Sequence, residues 1–287
     1  MIAGEPFSVA SGDYRVPLTW YPATAGAPVV VLMAALGVPA RFYQRLAGAL
    51  AERGFNVALM EQRGHGDSAL RPSRRRDWGF AETLTRDLPA LLDWLRDHHP
   101  EAPIVLMGHS LGGHYAAITA GRFPERVDGV VLVATGSPWV DAFAEPVRKR
   151  IRWLTRLIPV CNLVLGYYPG DRIGFGGREA RTLMADWRDL ALTNRYRARG
   201  LSQDLDAAIG GFPGPVLAVR LADDAFAPEA AVRAVTDKFR HATLTGVVLD
   251  AEALGDRADH FRWARQATTV ADRVAAWHPD KALRRRA

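Results

Sequence analysis

Much of the information in this chain lies in what it has little of. It holds one cysteine, Cys161, in 287 residues, so no intramolecular disulfide can form, and a reducing compartment suits it. Cys161 sits in an apolar stretch and reads as a buried, inert thiol rather than a nucleophile. Lysine is scarce, limited to Lys149, Lys238 and Lys281, so the net charge of +6 rests on arginine. The clusters Arg74-Arg75-Arg76 and Arg284-Arg285-Arg286 come with no nucleic-acid-binding motif. They read as solvated surface and a frayed tail, and no nucleic-acid partner is expected. No apolar run reaches membrane-spanning length, so stable membrane insertion is not expected. The opening Met1-Ile2-Ala3-Gly4-Glu5-Pro6 lacks the charged and apolar regions of a signal peptide, which makes a cytoplasmic location the expectation. No internal repeat or low-complexity tract appears. No histidine pair has metal-ligand spacing with nearby acids, so neither a metal nor an organic cofactor is called for.

What is present suits one large domain. The apolar fraction is 48%, ample for a single substantial core. Two short strands are expected over 7–21, around a turn at Ser11-Gly12-Asp13. Val29-Val30-Val31-Leu32-Met33 is a continuous apolar run, as in a strand buried on both faces. Similar strands are expected over 56–60, 127–134, 215–221 and 243–249, with Gly246 breaking the last. Amphipathic helices are expected over 39–54 and 80–98, and a final helix opens after Asp259-His260-Phe261 and runs to Trp277. Strands alternating with helices imply an α/β fold, a mostly parallel twisted sheet with helices on both faces.

The most specific stretch is Ile104-Val105-Leu106-Met107-Gly108-His109-Ser110-Leu111-Gly112-Gly113. An apolar strand ends in Gly-x-Ser-x-Gly and passes straight into a helical pattern. A nucleophilic serine needs a tight turn that lifts its hydroxyl clear of the sheet. Gly108 and Gly112 flank Ser110 because side chains there would strike the neighbouring strand and helix. The helix that follows aims its N-terminus at the reacting centre, where the Leu111 N–H can face a developing oxyanion.

On these residues the chain resembles an α/β-hydrolase over nearly its whole length. Ala35-Leu36-Gly37-Val38-Pro39, Asp77-Trp78-Gly79, Gly166-Tyr167-Tyr168-Pro169-Gly170 and Asp259-His260-Phe261 resemble a bacterial group near the serine-aminopeptidase and monoglyceride-lipase-like enzymes. The resemblance implies a triad in the order Ser110, Asp224, His260. Asp224 is preferred to Asp223 because the family's acid precedes a proline by four positions, here Pro228. The backbone of Ala35 or Leu36 would supply the second oxyanion donor, since Ala34-Ala35 stands where many relatives have His-Gly. Glu61-Gln62-Arg63-Gly64-His65-Gly66-Asp67-Ser68 resembles the family's structural loop, with Glu61 for the usual Asp and His65 as a hydrogen-bonded loop residue. Asp141 lies too far beyond its strand to be favoured as the acid.

Residues 137–211 show no strong strand signal and fall where hydrolases of this fold carry a lid. The expected division is a core of 1–136 and 212–287 with a helical cap of 137–211. The cap's aromatic residues, Trp139, Trp153 and Tyr167 among them, are expected to line a pocket for an apolar acyl or alkyl group. The interleaved Arg148, Arg150, Arg152 and Arg156 read as its solvated face, with the binding of an acidic substrate as the alternative. The expected function is a serine hydrolase acting on a small-molecule ester, or an amide, through an acyl-enzyme. An acyltransferase with the same triad and a non-catalytic binding protein on the same fold are the alternatives. A homo-oligomer is compatible with the sequence.

Overall fold

The computed structural model describes residues 2–277. His278, Lys281 and the cluster Arg284-Arg285-Arg286 lie outside the described residues. Strands β1 (Glu5–Ser11) and β2 (Tyr14–Tyr21) form an antiparallel hairpin, with Ser11 opposite Tyr14 at the turn. There follow β3 (Val29–Met33), β4 (Asn56–Met60), β5 (Ile104–His109) and β6 (Gly129–Val133). Two three-residue strands, β7 (Tyr167–Pro169) and β8 (Arg178–Ala180), pair with each other alone. The last two are β9 (Pro215–Leu221) and β10 (Thr243–Leu249). The main sheet runs β1-β2-β4-β3-β5-β6-β9-β10. Every pairing from β4 to β10 is parallel, and β1 and β2 form an antiparallel edge.

The strand runs are apolar throughout because both faces of the sheet are covered. Alternate residues enter two different cores. Val29, Val31, Ile104, Leu106, Val130 and Leu132 enter one, and Val30, Leu32, Val105, Met107, Val131 and Val133 the other. The second core is closed by α1 (Gln44–Glu52), through Leu46 and Leu50, and by the C-terminal helix over 267–277, through Val270 and Val274. The first is closed by α2 (Leu88–His98) and α3 (Leu111–Arg122), with helices of the 137–211 segment packed on them.

Some elements depart from the sequence expectation, each for a local reason. The helix over 80–98 contains a π turn at Thr83–Asp87. Pro89 has no N–H to donate to the turn before it, which disrupts the regular ladder there. The buried Asp87 in that turn accepts from Arg63 Nε at 2.6 Å, Arg63 Nη2 at 2.7 Å and Ser11 Oγ at 2.6 Å. Gly246 does not break β10: it pairs with Ala218 in an unbroken register from Thr243–Pro215 to Leu249–Leu221. The sequence Tyr167-Tyr168-Pro169-Gly170 reads as a turn, but Tyr167–Pro169 is a strand paired with Arg178–Ala180, too short for alternation to show.

Between β6 and β9 the chain builds α4 (Val147–Val164), the β7–β8 hairpin, α5 (Arg181–Thr193) and α6 (Leu205–Gly211). Asp77 fastens this segment to the rest, accepting from Thr182 N at 3.0 Å and Thr182 Oγ1 at 2.6 Å. Asp186 on α5 accepts the Phe80 N–H at 3.0 Å. Two further helices are α7 (Glu229–Thr236) and α8 (Ala267–Trp277). Among the described residues, no helix is long and apolar enough to cross a membrane.

Candidate active site

Ser110 stands between β5 and α3 at φ 51°, ψ −114°, a left-handed conformation that a serine adopts only where its surroundings enforce it. The enforcement comes from close packing. A Cβ on Gly108 would lie 2.0 Å from the Gly112 carbonyl carbon, and one on Gly112 would lie 2.3 Å from Met33 O. The turn is tied by Ser110 N to Val133 O at 3.0 Å and by Gly113 N to Ser110 O at 3.0 Å.

The loop after β9 brings an acid to a base 36 residues away. His260 Nδ1 lies 2.7 Å from Asp224 Oδ2, and both residues are buried. Asp224 Oδ1 accepts from Phe226 N at 2.8 Å and Ala227 N at 3.0 Å, which fixes the carboxylate plane. Asp223 is exposed and its carboxylate accepts the Ala258 N–H at 3.3 Å, away from the imidazole. The His260 carbonyl accepts the Trp263 indole N–H at 3.0 Å, which holds the loop after β10 in place.

The loop after β3 is shaped by residues beneath it. The Ala35 N–H donates to the Tyr43 hydroxyl at 2.9 Å, and that hydroxyl lies 2.7 Å from His109 Nδ1. Burial drives the His109 pKa well down, and the neighbouring His260 ring adds to the shift. His109 therefore stays neutral, and Nδ1 accepts the Tyr43 O–H, itself held in its protonated form by burial. The proton of His109 is then on Nε2. The nearby His260 carbonyl favours it there, although Nε2 reaches no partner at bonding distance. Gln62 Nε2 donates to Ala34 O, and the Glu61 carboxylate accepts the Ala40 N–H at 3.1 Å. Burial raises the Glu61 pKa against these backbone N–H groups. The 61–68 loop thus braces the loop after β3. His65 faces the 137–211 segment instead, 3.1 Å from the buried Glu179. Burial opposes its charge, but the carboxylates of Glu179 and, to a smaller extent, Glu61 act the other way, and the His65 pKa is raised.

Ser110, Leu111, His260, Ala35 and Leu36 line one cavity of about 140 Å³. Its other walls are mostly apolar: Phe143, Ile151, Leu154, Phe175, Trp187, Phe226 and Phe261 are among them. His114, in contact with the Tyr196 hydroxyl, forms part of the wall. Burial lowers its pKa to about 4, so it is neutral near pH 7. Trp139, Trp153 and Tyr167 are not in this cavity. Trp139 lines a separate surface depression with Asn194 and Lys238, Trp153 is 51% exposed, and Tyr167 lies against the Arg178 guanidinium at 4.0 Å. On α4 the cavity face is set by Val147, Arg150, Ile151 and Leu154, at spacings of three and four. Trp153, one residue from Leu154, is turned about 100° away. Aromatic content does not reveal this rotational phase, so it does not separate Trp187, in the lining, from Trp153, outside it.

The family model described as serine aminopeptidase, S33, matches residues 26–206. A monoacylglycerol lipase of Mycolicibacterium smegmatis is 26% identical over 235 residues, which cover 81% of this chain and 82% of that protein. A putative carbamate hydrolase of Variovorax paradoxus is 29% identical over 235 residues, covering 77% of this chain and 83% of that one. Among solved structures, a thioesterase domain from the curacin biosynthetic pathway superposes with a TM-score of 0.62 at 17% identity, covering 96% of this chain and 99% of its own. With its eight-stranded, mostly parallel sheet, the chain has the α/β-hydrolase fold and belongs to the serine aminopeptidase S33 family of hydrolases.

Proposed function

We propose that this protein is a serine hydrolase that cleaves carboxylic esters bearing an apolar acyl or alkyl group. The observation that carries the reading is the convergence of Ser110 and His260 on one apolar cavity, with Asp224 behind His260 at 2.7 Å. With Nδ1–H donated to Asp224, His260 Nε2 is left as the acceptor. It takes the Ser110 proton as the serine oxygen attacks the carbonyl, and Asp224 orients the ring and stabilises its cation. His260 then returns the proton to the leaving alcohol. Water, activated in the same way, releases the acid and regenerates Ser110.

The oxyanion donors are the N–H groups of Leu111 and Leu36. The Leu111 amide opens a twelve-residue helix, so the helix dipole adds to its donor. Ala35 is the weaker candidate because its N–H is committed to the Tyr43 hydroxyl. Residues 137–211 act as a cap, since α4 and α5 supply part of the wall of the cavity that Ser110 lines. Relatives named for lipase and carbamate hydrolase activities support carbonyl substitution as the shared chemistry. The family's peptidase description sets no substrate.

The test is labelling by a fluorophosphonate probe. The protein should label, and Ser110→Ala should abolish labelling and lower kcat by several orders of magnitude while the fold persists. Near-normal turnover by that variant would sink the assignment. Product analysis with added alcohols separates hydrolysis from acyl transfer.

A further inference from the structure

Helix α4 carries Arg148, Lys149, Arg150, Arg152 and Arg156 and no acidic residue. Among the described residues, none of the five forms an ion pair with a carboxylate. Four of them stay outside the cavity. Arg150 lines it, sharing the helix face of Val147, Ile151 and Leu154. It is the single permanently charged side chain in that lining.

Its guanidinium is held by a backbone oxygen rather than by an acid. Nη2 donates to Gly174 O at 2.6 Å. The loop that follows Gly174 is packed onto the loop after β3: a Cβ on Gly37 would lie 2.3 Å from Gly177 N, and one on Gly176 would lie 3.3 Å from Leu36 Cδ2. Arg150 is thus anchored to the wall that also presents the Leu36 amide. A carbonyl contact uses one of five N–H donors and neutralises no charge. The remaining donors form a planar fork suited to a carboxylate, on a side chain that is exposed at the cavity wall and so open to an anion arriving from solvent.

We infer that the preferred substrate is an ester that also carries a carboxylate, seated on Arg150 while the ester carbonyl lies at Ser110. The inference rests on the serine-hydrolase reading above. One cation in the lining matches one negative charge, which favours a carboxylate over a phosphate monoester dianion.

Two matched pairs of esters test it. One is 4-nitrophenyl hydrogen glutarate and its methyl ester, with the charge on the acyl side. The other is 4-acetoxybenzoate and its methyl ester, with the charge on the alcohol side. For at least one pair the parent should favour the carboxylate by about tenfold or more in kcat/KM. Arg150→Gln should bring that ratio near one, and Arg150→Lys should retain part of it. Arg156→Gln, on the same helix outside the cavity, should leave the ratio unchanged. The parent's ratio should also fall with rising salt, a reading that does not depend on any variant folding. Turnover of the neutral esters without a carboxylate preference, or a preference that survives Arg150→Gln or is lost equally in Arg156→Gln, overturns the Arg150 subsite alone. No turnover of all four esters together with no fluorophosphonate labelling overturns the hydrolase reading and the subsite with it.

Discussion

Lengthening the acyl chain of a 4-nitrophenyl ester should raise kcat/KM about fourfold per methylene, because each buried CH₂ contributes ~0.8 kcal/mol. The gain stops when the cavity is full. Its volume is about 140 Å³, close to the ~150 Å³ of an engineered apolar cavity that holds benzene, so about six carbons should fill it. From acetate to hexanoate the four added methylenes amount to ~3 kcal/mol, or roughly 200-fold. Beyond hexanoate the rate should level or fall. Leu154, 1% exposed, forms part of the wall. Leu154→Ala should move the optimum to longer chains, at a stability cost of about 2–5 kcal/mol that a thermal melt would register. Trp153, half-exposed and outside the cavity, provides the contrast: Trp153→Ala should leave the profile where it was. The assay is initial-rate kinetics across straight-chain esters from acetate to dodecanoate. A flat parent profile, or an optimum that moves with Trp153 and not with Leu154, would refute the reasoning.

Asp224→Asn should favour the wrong imidazole tautomer of His260 and lower kcat by roughly three to four orders of magnitude, whereas Asp223→Asn should leave kcat near the parent's; the reverse pattern would reassign the acid. His114, with a pKa of about 4 when folded and about 6.5 when unfolded, contributes stability that is full above pH ~6.5 and is lost as pH falls toward 4. The shift corresponds to about 3 kcal/mol, so urea unfolding of His114→Asn should show a shallower acid-side decline than the parent, and parallel curves would reject the account. The pair of His65 and Glu179 has the opposite sign. The His65 pKa is raised, so its contribution is full below pH ~6.5 and disappears as pH rises through the raised value. Glu179→Gln should therefore destabilise the protein more at pH 6 than at pH 9, as denaturant midpoints would report.

Local features account for what was readable before the structure. Continuous apolar runs mark β3, β4, β5 and β9 because a strand covered on both faces has no polar side to alternate. The sharp turn at Ser110 was legible because its constraint, backbone packed on backbone at Gly108 and Gly112, is satisfied by glycine and little else. The resemblance to the α/β-hydrolases implied the order Ser110, Asp224, His260, with Asp224 chosen by its spacing to Pro228. Tertiary packing decided the rest. Only the pairing of His260 with Asp224 across 36 residues sets their 2.7 Å contact. Only the docking of Tyr43 under the loop after β3 commits the Ala35 amide to a hydrogen bond. The face of α4 that meets the cavity depends on how the helix is rotated when it docks, and a step of one residue separates Leu154 inside from Trp153 outside. The same docking brings Arg150, one of five similar cations on that helix, into the cavity wall, because composition carries charge but not the direction in which a side chain points.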